Sequence, residues 1–193
     1  MMDAVPHDAD GAALAAGPLT AWLTEMRAAL RGERDAEVPC GDCTACCTAS
    51  QFVHVGADEL DTLAHIPTAL LFPAPGLAPG HRVMGYDERG CCPMLVDARC
   101  SIYEHRPRAC RTYDCRVFTA AGVEPNGVNA TDIAARVRRW RFEYPTALDR
   151  TLRDAVHAAA ASVAQDRDTR PVDATEVAVR AIETYEDFAE RDR

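Results

Sequence analysis

Lysine is absent from this sequence: all 21 of its basic side chains are arginine. That removes Schiff-base chemistry on a lysine and the lysine of a phosphate-binding loop. Long apolar runs are missing too. The longest, Ala12-Ala13-Leu14-Ala15-Ala16, falls far short of the roughly 20 residues that span a bilayer, so no membrane helix is expected. The stretch from Met1 to Gly17 has neither a basic start nor a leucine-rich centre, and it carries Asp3, Asp8 and Asp10. It does not read as a secretory signal, and a cytoplasmic location is the expectation. A nucleophile elbow, a dinucleotide fingerprint and the histidine pairs of metalloproteases are all lacking. No catalytic motif is therefore identified. The net charge of −9 argues against a nucleic-acid partner.

What the 193 residues do contain is nine cysteines, all between Cys40 and Cys115. An odd count in a chain without an export signal points away from a disulfide framework and toward metal. The first group, Cys40-Gly41-Asp42-Cys43-Thr44-Ala45-Cys46-Cys47, reads C-x2-C-x2-C-C. Two-residue spacing lets a tight turn aim two thiolates at one centre. Three cysteines so spaced match the start of the bacterial ferredoxin run, and Cys92-Pro93 offers a remote fourth ligand. Adjacent Cys46 and Cys47 point opposite ways in extended chain, so sharing one centre requires a sharp bend.

The second group places Cys91, Cys92, Cys100, Cys110 and Cys115 among Arg99, Arg106, Arg108, Arg111 and Arg116. Guanidinium groups offset the negative charge of a thiolate centre. Arg111, next to Cys110, is expected to hydrogen-bond a ligand sulfur. His54 and His105 lie near cysteines and are weighed as supporting groups or ordinary surface histidines, with the ordinary reading favoured. The run Arg136-Val137-Arg138-Arg139-Trp140-Arg141 is weighed as a phosphate site with Trp140 as platform, against the charged face of a helix with Val137 and Trp140 buried; the second is favoured.

Periodicity predicts an amphipathic helix over Pro18 to Arg31, with Leu19, Trp22, Leu23, Met26 and Leu30 inward. A short helix is expected over Asp58 to His65 with Leu60 and Leu63 inward, then a loop from Pro67 to Gly80. A strand near Val83 to Tyr86, a turn at Asp87 to Gly90 and a hairpin from Leu95-Val96 to Cys100 through Tyr103 follow. From Thr131, a possible N-cap, the pattern is helical with Ile133, Val137 and Trp140 or Phe142 on one side until Pro145. Helices over Thr146 to Gln165 and Asp173 to Arg191 complete the chain. The expected fold is mainly α, with an irregular cysteine-rich metal-binding centre, short strands and flanking helices. Its expected parts are an N-terminal helix and link (1–37), a cysteine-cluster domain (38–117) and a helical extension packing on the same core (118–193).

The run from Cys40 to Cys47, followed by Cys92-Pro93-Met94-Leu95 and by Ile102-Tyr103-Glu104-His105-Arg106-Pro107-Arg108-Ala109-Cys110-Arg111, resembles the YkgJ-type cysteine-cluster family, the CxxCxxCC or zinc- or iron-chelating domain. The resemblance covers about residues 38 to 117. It implies metal chelation by Cys40, Cys43, Cys46, Cys47, Cys92, Cys100 and Cys110, with Cys115 at a position that varies in the family and Cys91 as an extra. Eight ligands fit two four-cysteine centres or overfill one, and the sequence does not choose. The C-x2-C-x2-C spacing and the Cys-Pro tilt the metal toward a 4Fe–4S iron-sulfur cluster, with zinc as the other candidate. A structural or redox role is expected. Because the same domain occurs in flagellin lysine N-methylases, protein modification such as lysine N-methylation is the alternative by analogy. Metal storage or delivery, which calls for exposed ligands, is a third.

Overall fold

The computed structural model describes residues 11–36, 38, 41–127, 129–165 and 173–189. Helix accounts for 48% of the described residues and strand for 13%, so the architecture is mixed α with small accessory sheets. In chain order it comprises β1 (Leu14–Pro18), α1 (Leu19–Leu30), β2 (Val53–Val55), α2 (Leu60–His65), β3 (Leu71–Pro73), β4 (Arg82–Met84), β5 (Leu95–Val96) and β6 (Arg99–Cys100). Then come α3 (Arg108–Thr112), α4 (Arg116–Ala121), α5 (Thr131–Val137), β7 (Trp140–Glu143), α6 (Ala147–Gln165), α7 (Ala174–Thr184) and α8 (Glu186–Ala189). No helix among the described residues is long and apolar enough to cross a membrane.

The larger core is built by α1, α4, α5, α6 and α7 around β7. The stripe Leu19, Trp22, Leu23 and Met26 of α1 is buried as its spacing requires, with Ala29 completing it and Leu30 half-buried. Phe118 of α4 and Ala159, Ala178 and Ile182 of the C-terminal helices meet it. Small residues on α6 and α7 let the two helices approach closely. Gly122 ends α4 in the left-handed region at φ 66°, with Val123 N–H returning to Phe118 O at 3.0 Å.

Four strands went unseen in the sequence: β1, β2, β3 and β7. β1 pairs in parallel with β7, Leu14 beside Trp140 and Phe142 beside Gly17, with an irregularity between Ala15 and Gly17. The expected helix therefore stops at Val137. Trp140 and Phe142 are buried by the two-residue period of a strand, and the ring of Phe142 lies 4.9 Å from that of Trp22. Ala130 occupies the N-cap of α5, so Thr131 is already its first residue. The helix expected from Asp173 divides into α7 and α8, with Tyr185 between them.

A smaller core lies under the cysteine-bearing half. Antiparallel strands in the order β2-β4-β3 cover Val55, Ile66, Met84, Met94 and Ile102. The segment from Pro67 to Gly80, expected to be loop throughout, supplies edge strand β3. In α2 Leu60, expected inward, is 73% exposed, while Thr62 and the preceding Glu59 are buried. Leu63 is partly buried against the small core. The hairpin is present, with Arg99–Cys100 as its second arm.

Asp149, only 2% exposed, locks two helix starts together. One oxygen accepts from Thr20 N at 3.0 Å and Thr20 Oγ1 at 2.6 Å, and the other from Thr146 N at 3.0 Å and Thr146 Oγ1 at 2.5 Å. Asp149 N–H in turn donates to Thr146 Oγ1 at 3.2 Å, a reciprocal cap. The Thr146 hydroxyl first, then the Thr20 hydroxyl and amide, hold this carboxyl well below the usual range. A depressed folded-state pKa stabilises above the unfolded value near about 4 and loses that contribution as pH falls. Asp149→Asn should therefore flatten the fall in melting temperature between pH 5 and pH 2. Parallel pH profiles for variant and parent would refute this role.

Candidate metal centre

Cys46 and Cys47 lie on a 3-10 turn, Ala45–Thr48. Its backbone turns about 120° per residue, which supplies the bend that adjacent cysteines require, and the Cys46 and Cys47 thiols come within hydrogen-bonding reach of each other. Thr48 Oγ1 anchors the turn, lying 3.3 Å from Thr44 O and 3.3 Å from Asp132 Oδ2.

Two backbone hydrogen bonds join this segment to the second cysteine group. Ser50 N–H donates to Gly90 O at 2.9 Å, and Cys92 N–H donates to Cys47 O at 2.7 Å. Gly90 is required there: its φ is 80°, and a Cβ would sit 2.4 Å from Ser50 Oγ. Asp87 Oδ1 accepts from Arg89 N and Cys91 N at 2.9 Å each, shaping the turn before Cys92. Cys100 enters from β6, and both Cys92 and Cys100 rest on the smaller core.

Cys110 arrives on α3, whose start is held by a carboxylate from another element. The buried Glu59 accepts from Arg108 N through Oε1 at 2.5 Å and from Gly56 N through Oε2 at 2.6 Å. Glu59 thereby fixes α3 to the β2–α2 connection. Nothing in the sequence singled it out, flanked as it is by Asp58 and, two residues on, Asp61.

Electrostatics report which thiols have gathered. Burial pushes the Cys110 thiol up to about 12, the charges of Cys46, Cys92 and Cys100 add to it, and Arg106 pulls the other way. Burial and then the charges of Cys100 and Cys46 raise Cys92. The hydrogen bond to Cys47, followed by burial and the Cys47 charge, raises Cys46 far above the ordinary thiol range. Yet residues Cys46 and Cys110 retain solvent-exposed surface. Their thiols are crowded by protein on one side and reachable from the other.

Cys43 is half-buried just ahead of the turn, and none of the eight described cysteines forms a disulfide. Cys40 lies outside the described residues. Cys91 is half-buried, with its backbone taken up by Asp87. Cys115 stands at the edge of the helical core, where Trp140 Nε1–H donates to its sulfur at 3.2 Å. Tyr113 feels the charges of both Cys115 and Cys46, although burial is the main cause of its raised pKa.

The expectation for Arg111 is corrected. Its guanidinium reaches Asp35 at 3.1 and 3.2 Å and Glu59 at 3.9 Å, so it bonds carboxylates. The sulfur donor in the structure is the Trp140 indole, found only because β7 turns that side chain inward. Burial also ends the idea of Trp140 as a stacking platform; Arg136 instead lies 5.0 Å from its ring centre. His54 Nε2 meets His81 Nδ1 at 2.9 Å, and His105 Nδ1 meets Asp61 at 2.7 Å, so both histidines pair away from the thiols.

Among the described residues, the group of three or more His, Cys, Asp or Glu ligand atoms lying within 4.8 Å of one another contains no thiol. Four sulfurs on one zinc, at about 2.3 Å each, sit about 3.8 Å apart. Among the described residues no three thiols come within 4.8 Å of one another. The fold is mixed α with small sheets, and its described cysteines lie on separate stretches of chain. No family model, no curated protein and no solved structure matches this chain.

Proposed function

We propose that this protein binds metal through its cysteines, as a member of the YkgJ-type cysteine-cluster kind, with a structural or redox role. The observation carrying the reading is the pair of backbone bonds from Ser50 to Gly90 and from Cys92 to Cys47. They join two cysteine groups about 45 residues apart in sequence at one surface. An all-thiol donor set is soft and suits zinc or iron-sulfur. Cys46, Cys47, Cys92, Cys100 and Cys110 would hold the group, with Cys40, Cys43 and Cys115 completing the pool. The C-x2-C-x2-C spacing and Cys92-Pro93 favour an iron-sulfur cluster over a single zinc ion. When bound, a cluster would supply one-electron transfer and zinc a crosslink. The protein's own part is to gather the sulfurs, seat Cys92 and Cys100 on an apolar base and fix Cys110 through Glu59.

Metal analysis and a visible spectrum of anaerobically purified protein test this reading. Cys46→Ser and Cys110→Ser should each lower metal content at least tenfold relative to Cys91→Ser, since a lost ligand weakens a site at least as much as a lost supporting group. Protein with less than one metal per chain, or equal losses in all three variants, would overturn it.

The exposure of Cys46 and Cys110 favours a second reading, metal delivery. Exchange distinguishes the two: a delivery protein should surrender metal to a competing chelator within minutes without unfolding.

A further inference from the structure

We infer that Asp61, His65 and His105 form a second metal site, for a divalent first-row transition ion that takes nitrogen and oxygen ligands. It is separate from the thiols and does not depend on the thiol reading. Asp61 and His65 are one turn apart on α2, while His105 ends the 3-10 turn Tyr103–His105, with its N–H bonded to Ile102 O at 2.8 Å. The spacing Asp-x3-His was the sequence signal for two of the three.

The ligand atoms of the three residues all lie within 4.8 Å of one another. His105 Nδ1 is 2.7 Å from Asp61 Oδ2, and His65 Nδ1 is 3.6 Å from Asp61 Oδ1. Metal bonds of about 2.0–2.1 Å put ligand atoms about 2.9 Å apart in an octahedral site and about 3.4 Å apart in a tetrahedral one. The two measured edges bracket those values. The imidazoles stack with centroids 3.5 Å apart and 4° between planes, so that both Nδ1 edges face the same carboxylate.

His65 Nδ1 is also 2.8 Å from the carbonyl of Asp61. In the metal-free protein each Nδ1 donates its proton to oxygen. Ligation moves that proton to Nε2 through water, leaving each ring neutral and Nδ1 free to bind.

A second observation concerns charge. Around this site Asp58 pairs with Arg108, and Asp35 and Glu59 with Arg111. Among the described residues the charged partners of Asp61 are the two imidazoles and no arginine. A carboxylate matched only by two nitrogen ligands is the donor set of an imidazole-preferring ion, and the exposed side chains leave positions open for water.

Calorimetric titration of the intact protein, as purified with its thiol-bound metal, uses zinc(II) alone as probe. It should bind one further equivalent. His65→Ala, His105→Ala and Asp61→Asn should each weaken that equivalent at least tenfold, and His157→Ala, at an exposed position of α6, should leave it unchanged. Cobalt(II) in its place should give ligand-field bands without a sulfur charge-transfer band. An absent further equivalent, one that survives all three substitutions, or one that brings the sulfur band would overturn the site. The three side chains face solvent, so the variants should keep the parent circular dichroism; Asp61→Asn, nearly isosteric, serves if an alanine variant does not. Failure of the thiol reading appears separately, as missing metal in the purified protein.

Discussion

Replacing Asp114 with alanine should lower the melting temperature by roughly 6–20 °C, from a loss of about 3–5 kcal/mol. Asp114 is 2% exposed at the start of α4 and Arg116 is 8% exposed. Its carboxylate accepts from Trp22 Nε1 at 2.7 Å and from Arg116 Nε at 2.9 and 3.0 Å. The guanidinium carbon lies 5.9 Å from the ring centre of Trp22 and 5.7 Å from that of Trp140, while an Arg116 amino group lies 3.4 Å from Ala16 O. One ion pair thus ties β1, α1, α4 and β7 together. Removing the carboxylate leaves a buried cation without that partner and an indole N–H without its acceptor, and both losses are expensive away from water. Asp114→Leu combined with Arg116→Met should recover part of the loss, because no buried charge then remains. Thermal melts of the three proteins decide it. A single variant melting within about 2 °C of the parent would show that the pair contributes little.

Metal removal should have an equally large but local effect. Among the described residues the helical core joins 25 buried ones and the smaller core only five, Val55, Ile66, Met84, Met94 and Ile102. Five side chains cannot order the long, loop-rich cysteine half by burial alone, whereas structural metal sites contribute on the order of 10 kcal/mol to folding. After chelation under reducing conditions, amides of β2, β4, β5 and β6 should exchange at least 100-fold faster, equivalent to about 2.7 kcal/mol. Those of α6 and α7 should keep their protection. Hydrogen exchange followed by mass spectrometry resolves the two halves. Unchanged protection in the strands would mean that metal has no structural role, and equal loss in both halves would mean that the chain melts as one unit.

The features legible in the sequence were those set by neighbours. The stripe from Leu19 to Met26 needs only the helical period, and the Leu95 to Cys100 hairpin only a tight turn. β1 escaped because Leu14-Ala15-Ala16-Gly17-Pro18 is poor in strand-forming side chains, and its partner begins 126 positions later (140 − 14). β7 escaped because Ile133, Val137 and Trp140 continue a helical spacing, so the period changes without a break in apolar pattern. In α2, six residues are too few for a moment to fix a face, and the buried Glu59 rotated it. Arg111 illustrates the same limit at the site. Adjacency to Cys110 in sequence becomes a turn of about 100° around α3, enough to point the guanidinium at Asp35. The cysteine groups were readable from composition, whereas the backbone bond that sets Cys92 beside Cys47 joins segments far apart and leaves no local pattern.

The β1–β7 pairing also sets an order of events during synthesis. β1 cannot find its partner until Trp140 to Glu143 has left the ribosome, and Cys115, the final cysteine of this sequence, emerges 25 residues before Trp140 (140 − 115). At about 5–20 residues per second, every thiol is in solvent for seconds before the strand that closes the helical core exists. The nascent chain therefore passes through an interval in which the cysteines are open to metal, oxidants or one another while the helical core is still incomplete.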